Sequence, residues 1–186
     1  MKSSFPQLQT PRLCLREMTK ADAPTLVELL RNQEVSRWLT VDLSRMTRRE
    51  EEIRIARARK AFAAGRELHW GIGERDSDGL VGMICLVGLN RRDQHAMAGF
   101  WLGHAYWGRG YMTEALWAVL DYSFRGLGLN RVYAGHFADN SASGRVMQKC
   151  GLQYEGTRRQ AFCKNGQYYD EMAYAILKSD YEHLFL

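Results

Sequence analysis

The 186-residue sequence has few of the features that mark secreted, metal-binding or membrane-spanning chains. Its four cysteines, Cys14, Cys85, Cys150 and Cys163, are scattered without a CxxC pair, which favours buried thiols in a reduced compartment over disulfides or metal ligands. No apolar run approaches the roughly 20 residues that cross a bilayer, and the N-terminus has no apolar segment typical of a secretory signal. We therefore expect a cytoplasmic protein that binds neither metal nor membrane.

Charge is present at an ordinary level. The formal net charge is +5, with 25% charged and 46% hydrophobic residues, as in a soluble globule that forms one domain over 1–186. Most of the excess basic charge lies in residues 45–66, a segment that also contains three consecutive glutamates at 50–52. Acidic residues early in a helix and basic residues late in it complement the helix dipole, which is typical of a solvent-exposed helix. An RNA-binding surface is the alternative, but aromatic stacking residues are not interleaved here, so a nucleic-acid partner is not expected.

Hydrophobic periodicity predicts the order of strands and helices. Strands are predicted over residues 12–18, 67–74, 80–89, 97–103 and 131–137, with a closing pair around the turn at 164–166. Helices are predicted over residues 19–32, 48–64, 112–125 and 141–150. The strand–helix–strand unit between 97 and 137 should be a right-handed crossover, which makes its strands parallel. The pattern predicts a mixed α/β (α+β) fold with a mostly antiparallel sheet of seven strands.

The stretch HAYWGRGYMTEA places two glycines at the start of a predicted helix. Gly108 and Gly110 would let the backbone approach an anion closely, with the helix dipole behind the exposed amides. Arg109 would add positive charge, and Thr113 a hydroxyl in the first helical turn. The simpler alternative is that the glycines only turn the chain between a strand and a helix.

A second helix opens one strand–helix unit later, with the sequence DNSAS. If the two parallel strands part, a cleft forms with a helix start on each side. A long ligand could lie in that cleft, with phosphates at the glycine turn and its tail along the strand that ends at Gly103. Asn140 could face this ligand and also serve as an N-cap, which is its simpler interpretation.

Four stretches resemble one family of enzymes, in the family's order and over nearly the whole chain. They are TPRLCLREMTKADAPTLVELLRNQEVSRWL, AGFWLGHAYWGRGYMTEAL, NSASGRVMQKCGLQYEG and NGQYYDEMAYAIL. Together they resemble the GNAT superfamily of acetyl-CoA-dependent N-acetyltransferases, and within it the RimJ/RimL-like group. The resemblance implies a GNAT-like sheet with splayed parallel central strands, flanked by helices, and acetyl-CoA as the co-substrate.

The resemblance also assigns positions that bind the coenzyme. The pyrophosphate would lie on the amides of Trp107, Gly108, Arg109, Gly110, Tyr111 and Met112. Leu102 and Gly103 would pair with the pantetheine arm, and Asn140 would bind it near the sulfur. Arg145 or Lys149 would reach the adenosine phosphates. One departure is Ala105, where the family's motif begins with Gln or Arg; we expect little loss of binding, because main-chain amides hold the anion.

The proton-transfer residues depart further from the family. The tyrosine that serves many of its members as the acid is replaced by Met147, while the serine used by RimL-like members corresponds to Ser143, which could equally satisfy helix backbone. The usual basic carboxylates correspond to Met97 and Phe162. Five other titratable residues remain, none of which the sequence places in the cleft: Glu67, His69, His104, Glu155 and Asp170. The expectation is therefore transfer without a dedicated base, aided by positioning.

Cys150 raises the alternative of an acetyl-cysteine intermediate. Its place at a helix C-terminus should raise the pKa of its thiol, so direct transfer in a ternary complex is favoured.

The acceptor would enter between the early helices and the closing strands. Trp38, Trp70, Phe162 and Tyr168 would form an aromatic wall there, although each could instead be a core residue. The group's acceptors include N-terminal amines of ribosomal proteins, polyamines and aminoglycoside-type amines, and the basic early helices favour a protein N-terminus. A non-catalytic acyl-CoA-binding regulator is the alternative of another class. A monomer or a homodimer fits either.

Overall fold

The computed structural model describes residues 4–77 and 79–184. The strands are β1 (Leu8–Gln9), β2 (Leu13–Glu17), β3 (Leu68–Glu74), β4 (Leu80–Asn90), β5 (His95–Leu102), β6 (Arg131–Phe137), β7 (Gln153–Lys164) and β8 (Gln167–Leu177). The α-helices are α1 (Ala23–Arg31), α2 (Gln33–Ser36), α3 (Arg48–Ala63), α4 (Tyr111–Asp121), α5 (Ser141–Lys149) and α6 (Lys178–His183).

The strands form one sheet in the order β1-β2-β3-β4-β5-β6-β8-β7. All neighbours are antiparallel except β5 and β6, which are parallel as the crossover predicts. The short strand β1 pairs with β2 and raises the predicted count of seven strands to eight. Two residues are too few to show an alternating pattern, which is why the sequence did not reveal β1.

Alternation along β5 separates the two faces of the sheet. Ala98 and Leu102 point into the main core, which contains Leu116 and Val119 of α4. Trp101 points to the opposite face and packs in smaller clusters with side chains from α1, α2 and α3. Helices α1–α3 therefore cover one face of the sheet, and α4 the other.

Local sequence explains where the helices begin and end. Thr47 and Glu50 form a reciprocal capping box at the start of α3. The predicted helix over 112–125 ends as α4 at Asp121, and a single π-helical turn over Tyr122–Gly126 follows it. In that turn Leu127 N donates to Tyr122 O at 2.9 Å. Helical spacing of apolar residues continues through both segments, so periodicity did not separate them.

The central parallel pair separates along its length. Strands β5 and β6 pair only over three positions, from His95 opposite Arg131 to Met97 opposite Tyr133. Beyond them β5 continues to Leu102 and β6 to Phe137 without further pairing. The predicted splay is confirmed, and it opens a gap in the middle of the sheet.

No helix in the described ranges is long and apolar enough to cross a membrane.

Candidate active site

The glycine turn has the geometry of an anion site. Gly108 and Gly110 have φ of +74° and +78°, in the left-handed region that favours glycine. Gly110 is the N-cap of α4, and the first helical bond runs from Glu114 N to Gly110 O at 3.1 Å. Within the described parts of the chain, the amides of residues 108–113 donate to no other group. A row of free N–H groups at a helix start is suited to binding phosphate.

Arg12 braces this turn from the N-terminal strand. Its Nη1 donates to the carbonyl of Arg109 at 2.9 Å, and its guanidinium pairs with Glu114 at 2.6 Å. Thr10 Oγ1 also donates to Glu114. Partial burial would raise the pKa of Glu114, but the hydrogen bonds from Thr10 and Arg12 hold it below its ordinary value. This carboxylate is therefore charged at neutral pH and fixes Arg12 in place.

The second helix start presents two free polar groups. Asn140 is the N-cap of α5, and its Oδ1 accepts from Ser143 N at 3.3 Å. Its side-chain N–H₂ and the Ser143 hydroxyl make no hydrogen bond to any described residue. The N-cap role of Asn140 therefore leaves a donor for a ligand, and the Ser143 hydroxyl does not satisfy backbone.

A cleft of about 540 Å³ joins these parts, within the size range of ligand sites. The predicted site residues that line it are Trp38, Leu102, Trp107, Gly108, Gly110, Tyr111, Met112, Thr113, Asn140, Ser143 and Lys149. Arg145 lines it too. The side chain of Arg109 instead lies over the Tyr106 ring, 5.6 Å from its centroid.

The register of β5 determines which amides face the cleft. Gly103 N donates to Val81 O in β4 at 2.8 Å, and Gly103 O accepts from Tyr106 N. The prediction that Gly103 pairs with the pantetheine arm is therefore wrong for its N–H, because that group already donates to β4. Since N–H directions alternate along a strand, Leu102 N points away from β4 and toward the gap. Leu102 O accepts from Trp107 Nε1 at 2.9 Å, so its N–H alone remains for a ligand.

The predicted aromatic wall is only partly present. Trp38 lines the cleft, but Trp70 is fully buried in the main core and donates from Nε1 to Pro6 O at 2.7 Å. Trp70 is therefore a core residue and not part of an acceptor mouth. Phe162 packs edge-on against Phe137 with ring centroids 5.0 Å apart, and Tyr168 is 62% exposed near the β7–β8 turn. Neither of them lines the cleft.

Lys164 fastens the β7–β8 hairpin to the segment after α2. Its Nζ donates to the carbonyls of Ser36, Arg37 and Leu39 at 2.7, 3.0 and 2.8 Å. Burial lowers the pKa of Lys164, and nearby Asp42 opposes this effect. The ammonium group thus binds three backbone carbonyls around Trp38 and fixes the position of this segment. Nothing in the sequence connected two segments so far apart.

The five titratable residues left open by the sequence are engaged outside the cleft. Glu67 and His69 bond to each other at 2.7 Å, and His104 packs against Trp107. Glu155 pairs with Arg131. The last of them is held in the backbone of the closing hairpin, where Asp170 Oδ1 accepts from Gln160 N at 2.8 Å.

Two buried groups beside the cleft were missed from the sequence, His136 on β6 and Glu171 on β8. His136 Nδ1 bonds to Phe137 O, while its buried Nε2 has no partner among the described residues.

Cys150 is unsuited to nucleophilic catalysis. It is fully buried, and burial raises the pKa of its thiol to about 12. Its Sγ donates weakly to Thr113 O at 3.5 Å, which joins α5 to the first turn of α4. Groups of three or more His, Cys, Asp or Glu side chains able to hold a metal ion are absent from the described residues.

Comparison with known proteins agrees with this geometry. The family described as Acetyltransferase (GNAT) domain matches residues 12–153. The uncharacterized N-acetyltransferase YoaA of Bacillus subtilis is 36% identical over 94% of this chain and 98% of its own length. The [ribosomal protein uS5]-alanine N-acetyltransferase of Escherichia coli is 26% identical over 63% of this chain and 61% of its own.

Among solved structures, RimL, the ribosomal L7/L12 alpha-N-protein acetyltransferase in complex with coenzyme A, superposes with a TM-score of 0.84. It is 22% identical and aligns over 92% of this chain and 98% of that one, which shows the shared fold. The free amides of the glycine turn, the open edge of β5 and the family match converge: the chain belongs to the GNAT acetyltransferases and is an N-acetyltransferase that uses acetyl-CoA.

Proposed function

We propose that this N-acetyltransferase acts on the N-terminal amine of a protein or peptide. The observation that carries the proposal is the charge of the acceptor side of the cleft. The segment after α2 contributes Arg37, Trp38 and Leu39 to the lining and no carboxylate, and among the described residues Asp139 is the one acid in the lining. A polyamine would need several acidic partners, whereas a peptide N-terminus brings one amine followed by a neutral backbone. The uS5-alanine N-acetyltransferase of E. coli is named for an acceptor of this kind, which supports the proposal. The proposed reaction takes place in the cytoplasm.

The coenzyme is held mainly by main-chain groups in this proposal. The amides of residues 108–113 bind the pyrophosphate, with Arg145 and Lys149 as charges near the adenosine phosphates. The side-chain N–H₂ of Asn140 and the N–H of Leu102 bind the pantetheine arm in the gap between β5 and β6. The thioester then lies where the two strands part.

Acetyl transfer proceeds directly between the two bound substrates. The amine nitrogen attacks the thioester carbon, the C–S bond breaks, and the thiolate takes a proton. The N–H of Phe100, which by the same alternation also faces the gap, donates to the developing oxyanion, and the unpaired Ser143 hydroxyl gives the proton to the sulfur. Burial of Cys150 argues against an acetyl-enzyme step.

The test is an acceptor panel with the purified protein and acetyl-CoA. Peptides with N-terminal alanine or serine are compared with the same peptides N-terminally blocked, with spermidine and with an aminoglycoside. Free-thiol release gives the rate, and mass spectrometry locates the acetyl group. We expect acetylation of the free N-terminus and none of the blocked peptide. Preferred acetylation of spermidine or the aminoglycoside would overturn the proposed acceptor, and no thiol release with any amine would indicate a non-catalytic regulator.

A further inference from the structure

Glu171 is a buried carboxylate that the reaction described so far does not use. It lies on β8 directly opposite Phe137 of β6, and only 5% of its surface is exposed. Its Oε2 pairs with Nε of Arg158 on β7 at 2.9 Å. Its Oε1 has no hydrogen-bond partner among the described residues. Among the described residues, Oε1 does not count as a buried polar atom without a partner, so this oxygen keeps access to solvent or a ligand although the residue as a whole is buried.

The free oxygen lies over the backbone of β6. Gly135 is two residues before Phe137 on the same face of β6, and a Cβ there would overlap Oε1 of Glu171. Because Gly135 has no side chain, the carboxylate can reach diagonally across the strand. The sequence could not show this reach, since it depends on the register between β6 and β8, which brings Glu171 opposite Phe137, 34 residues earlier in the chain.

This position borders the cleft on the acceptor side. Gly135 lines the cleft, and so does Gly99 of β5 on the other side of the gap. Continuing the register from Met97 opposite Tyr133 would bring Gly99 opposite Gly135, but the strands have separated there. Gly99 shares its face of β5 with Trp101, which packs against the cluster that contains Leu30 of α1 and Val35 of α2. The Glu171 carboxylate therefore lies on the face of the sheet that α1–α3 and the segment after α2 cover. It is beside the gap between β5 and β6, where the thioester is proposed to lie.

We propose that Glu171 is the general base that takes the proton from the acceptor amine. This inference rests on the proposed function. It supplies the base that the family places at the positions of Met97 and Phe162, here from the neighbouring strand β8 through the space left by Gly135.

The electrostatics of the site suit this role. Burial raises the pKa of Glu171, while the charge of Arg158 on β7, which pairs with it, and that of His136, whose ring lies on the other face of β6 against Tyr174, oppose this rise. Tyr169 lies on the same face of β8 as Glu171, against Phe137. A carboxylate with a raised pKa is a stronger base and is ionised only above that pKa. Activity that depends on Glu171 is therefore lost as the pH falls through its raised value, above the pH at which an exposed glutamate would protonate.

The proton balance is complete. As the C–N bond forms, the attacking nitrogen becomes acidic and its proton moves to Oε1 of Glu171. The C–S bond breaks, and the coenzyme leaves as a free thiol after receiving a proton from Ser143. Glu171 then releases its proton to water through the open cleft, and the Ser143 hydroxyl is restored by a proton from water. The net reaction is amine plus acetyl-CoA to acetamide plus CoA thiol.

The decisive experiment compares Glu171→Gln with Glu155→Gln. Neither acid is part of the cleft lining itself, but Oε1 of Glu171 lies over Gly135, which lines the cleft, whereas both oxygens of Glu155 pair with Arg131. Glu155 is therefore a matched control on the closing hairpin. With the acceptor found in the panel, Glu171→Gln should lower kcat by about 100-fold or more at neutral pH, and Glu155→Gln should leave it unchanged. Acetyl-CoA affinity should stay the same in both. Glu171→Ala, which leaves a space for a small acid, should regain activity with added formate.

The outcomes separate this inference from the proposed function. If the wild type transfers acetyl and Glu171→Gln keeps its kcat, the inference is overturned and the proposed function stands. If the wild type transfers to no amine, both are overturned. Should the variants not fold, the wild-type pH profile decides with two acceptors of different amine pKa. If kcat falls with decreasing pH at the same pH for both acceptors, the titrating group belongs to the enzyme, as expected for Glu171. If the pH of this fall shifts with the pKa of the acceptor amine, the inference is overturned.

Discussion

Replacing Gly108 by alanine tests whether the left-handed turn before α4 binds the coenzyme. Gly108 has φ of +74°, and no described atom lies within 4 Å of where a Cβ would be. A clash inside the protein is therefore not expected, and the cost of the change comes from backbone strain. For an L-residue in the left-handed region this strain is about 1–2 kcal/mol.

The strain sets the size of the effect on binding. In the free variant the turn relaxes toward negative φ, and the amides of Gly108 and Arg109 turn away from the anion position. Binding must restore the original turn, so the dissociation constant of acetyl-CoA rises by the strain energy. This corresponds to about 5- to 30-fold, since about 1.4 kcal/mol is tenfold.

Gly128→Ala is the matched control. Gly128 has φ of +67° with no described atom near a Cβ position, and it lies outside the cleft, before β6. Neither variant should lower Tm by more than about 2–8 °C, the equivalent of the whole strain. The part of the strain that Gly108→Ala relieves by relaxing weakens acetyl-CoA binding instead of lowering Tm. Only Gly108→Ala should weaken acetyl-CoA binding in isothermal titration calorimetry. Equal affinity for acetyl-CoA in both variants would refute the assignment of the pyrophosphate to this turn.

Three further substitutions test other parts of the site. Ser143→Ala should lower kcat by about 100-fold with acetyl-CoA affinity kept, because the coenzyme is held elsewhere; unchanged steady-state turnover would end its role as the acid. Cys150→Ala should keep its turnover and lose only thermal stability, and an acetylated Cys150 found by mass spectrometry of the wild type would contradict direct transfer. Lys164→Met leaves three carbonyls without their donor, so the KM of the acceptor should rise severalfold while acetyl-CoA affinity stays the same. An unaltered KM would show that this hairpin does not shape the acceptor site.

The sequence predicted strand and helix boundaries, the parallel pair and the free amides of the glycine turn. Strand β6 begins and ends where its alternation does, at Arg131 and Phe137, and α3 ends one residue earlier than its pattern. The parallel pair followed from the handedness of crossovers, and the free amides followed from two glycines at a helix start. These features depend on neighbours in the chain or on general topology, so one sequence was sufficient.

The remaining features depend on contacts between distant segments. An aromatic residue on a strand, such as Trp70, shows the same alternation in the sequence whether it lines a binding cleft or is buried in the core. Only the packing of distant segments around it determines that Trp70 is buried. Gly103 was assigned to the ligand, yet the strand register uses its amide for Val81. Glu171 was overlooked beside Asp170, because its importance comes from a glycine on another strand.

Three paired positions are all that connect β5 to β6, so the sheet is interrupted at its centre. A pantetheine arm with its own amide groups has nearly the repeat of a peptide and could complete the missing ladder on the β5 side. The donor substrate would then act as a temporary strand that stiffens the junction, and its departure after each turnover would loosen it. Product release would therefore be coupled to a loss of rigidity. A change in the hydrogen-exchange rates of β5 and β6 between the free and the coenzyme-bound protein would report this coupling.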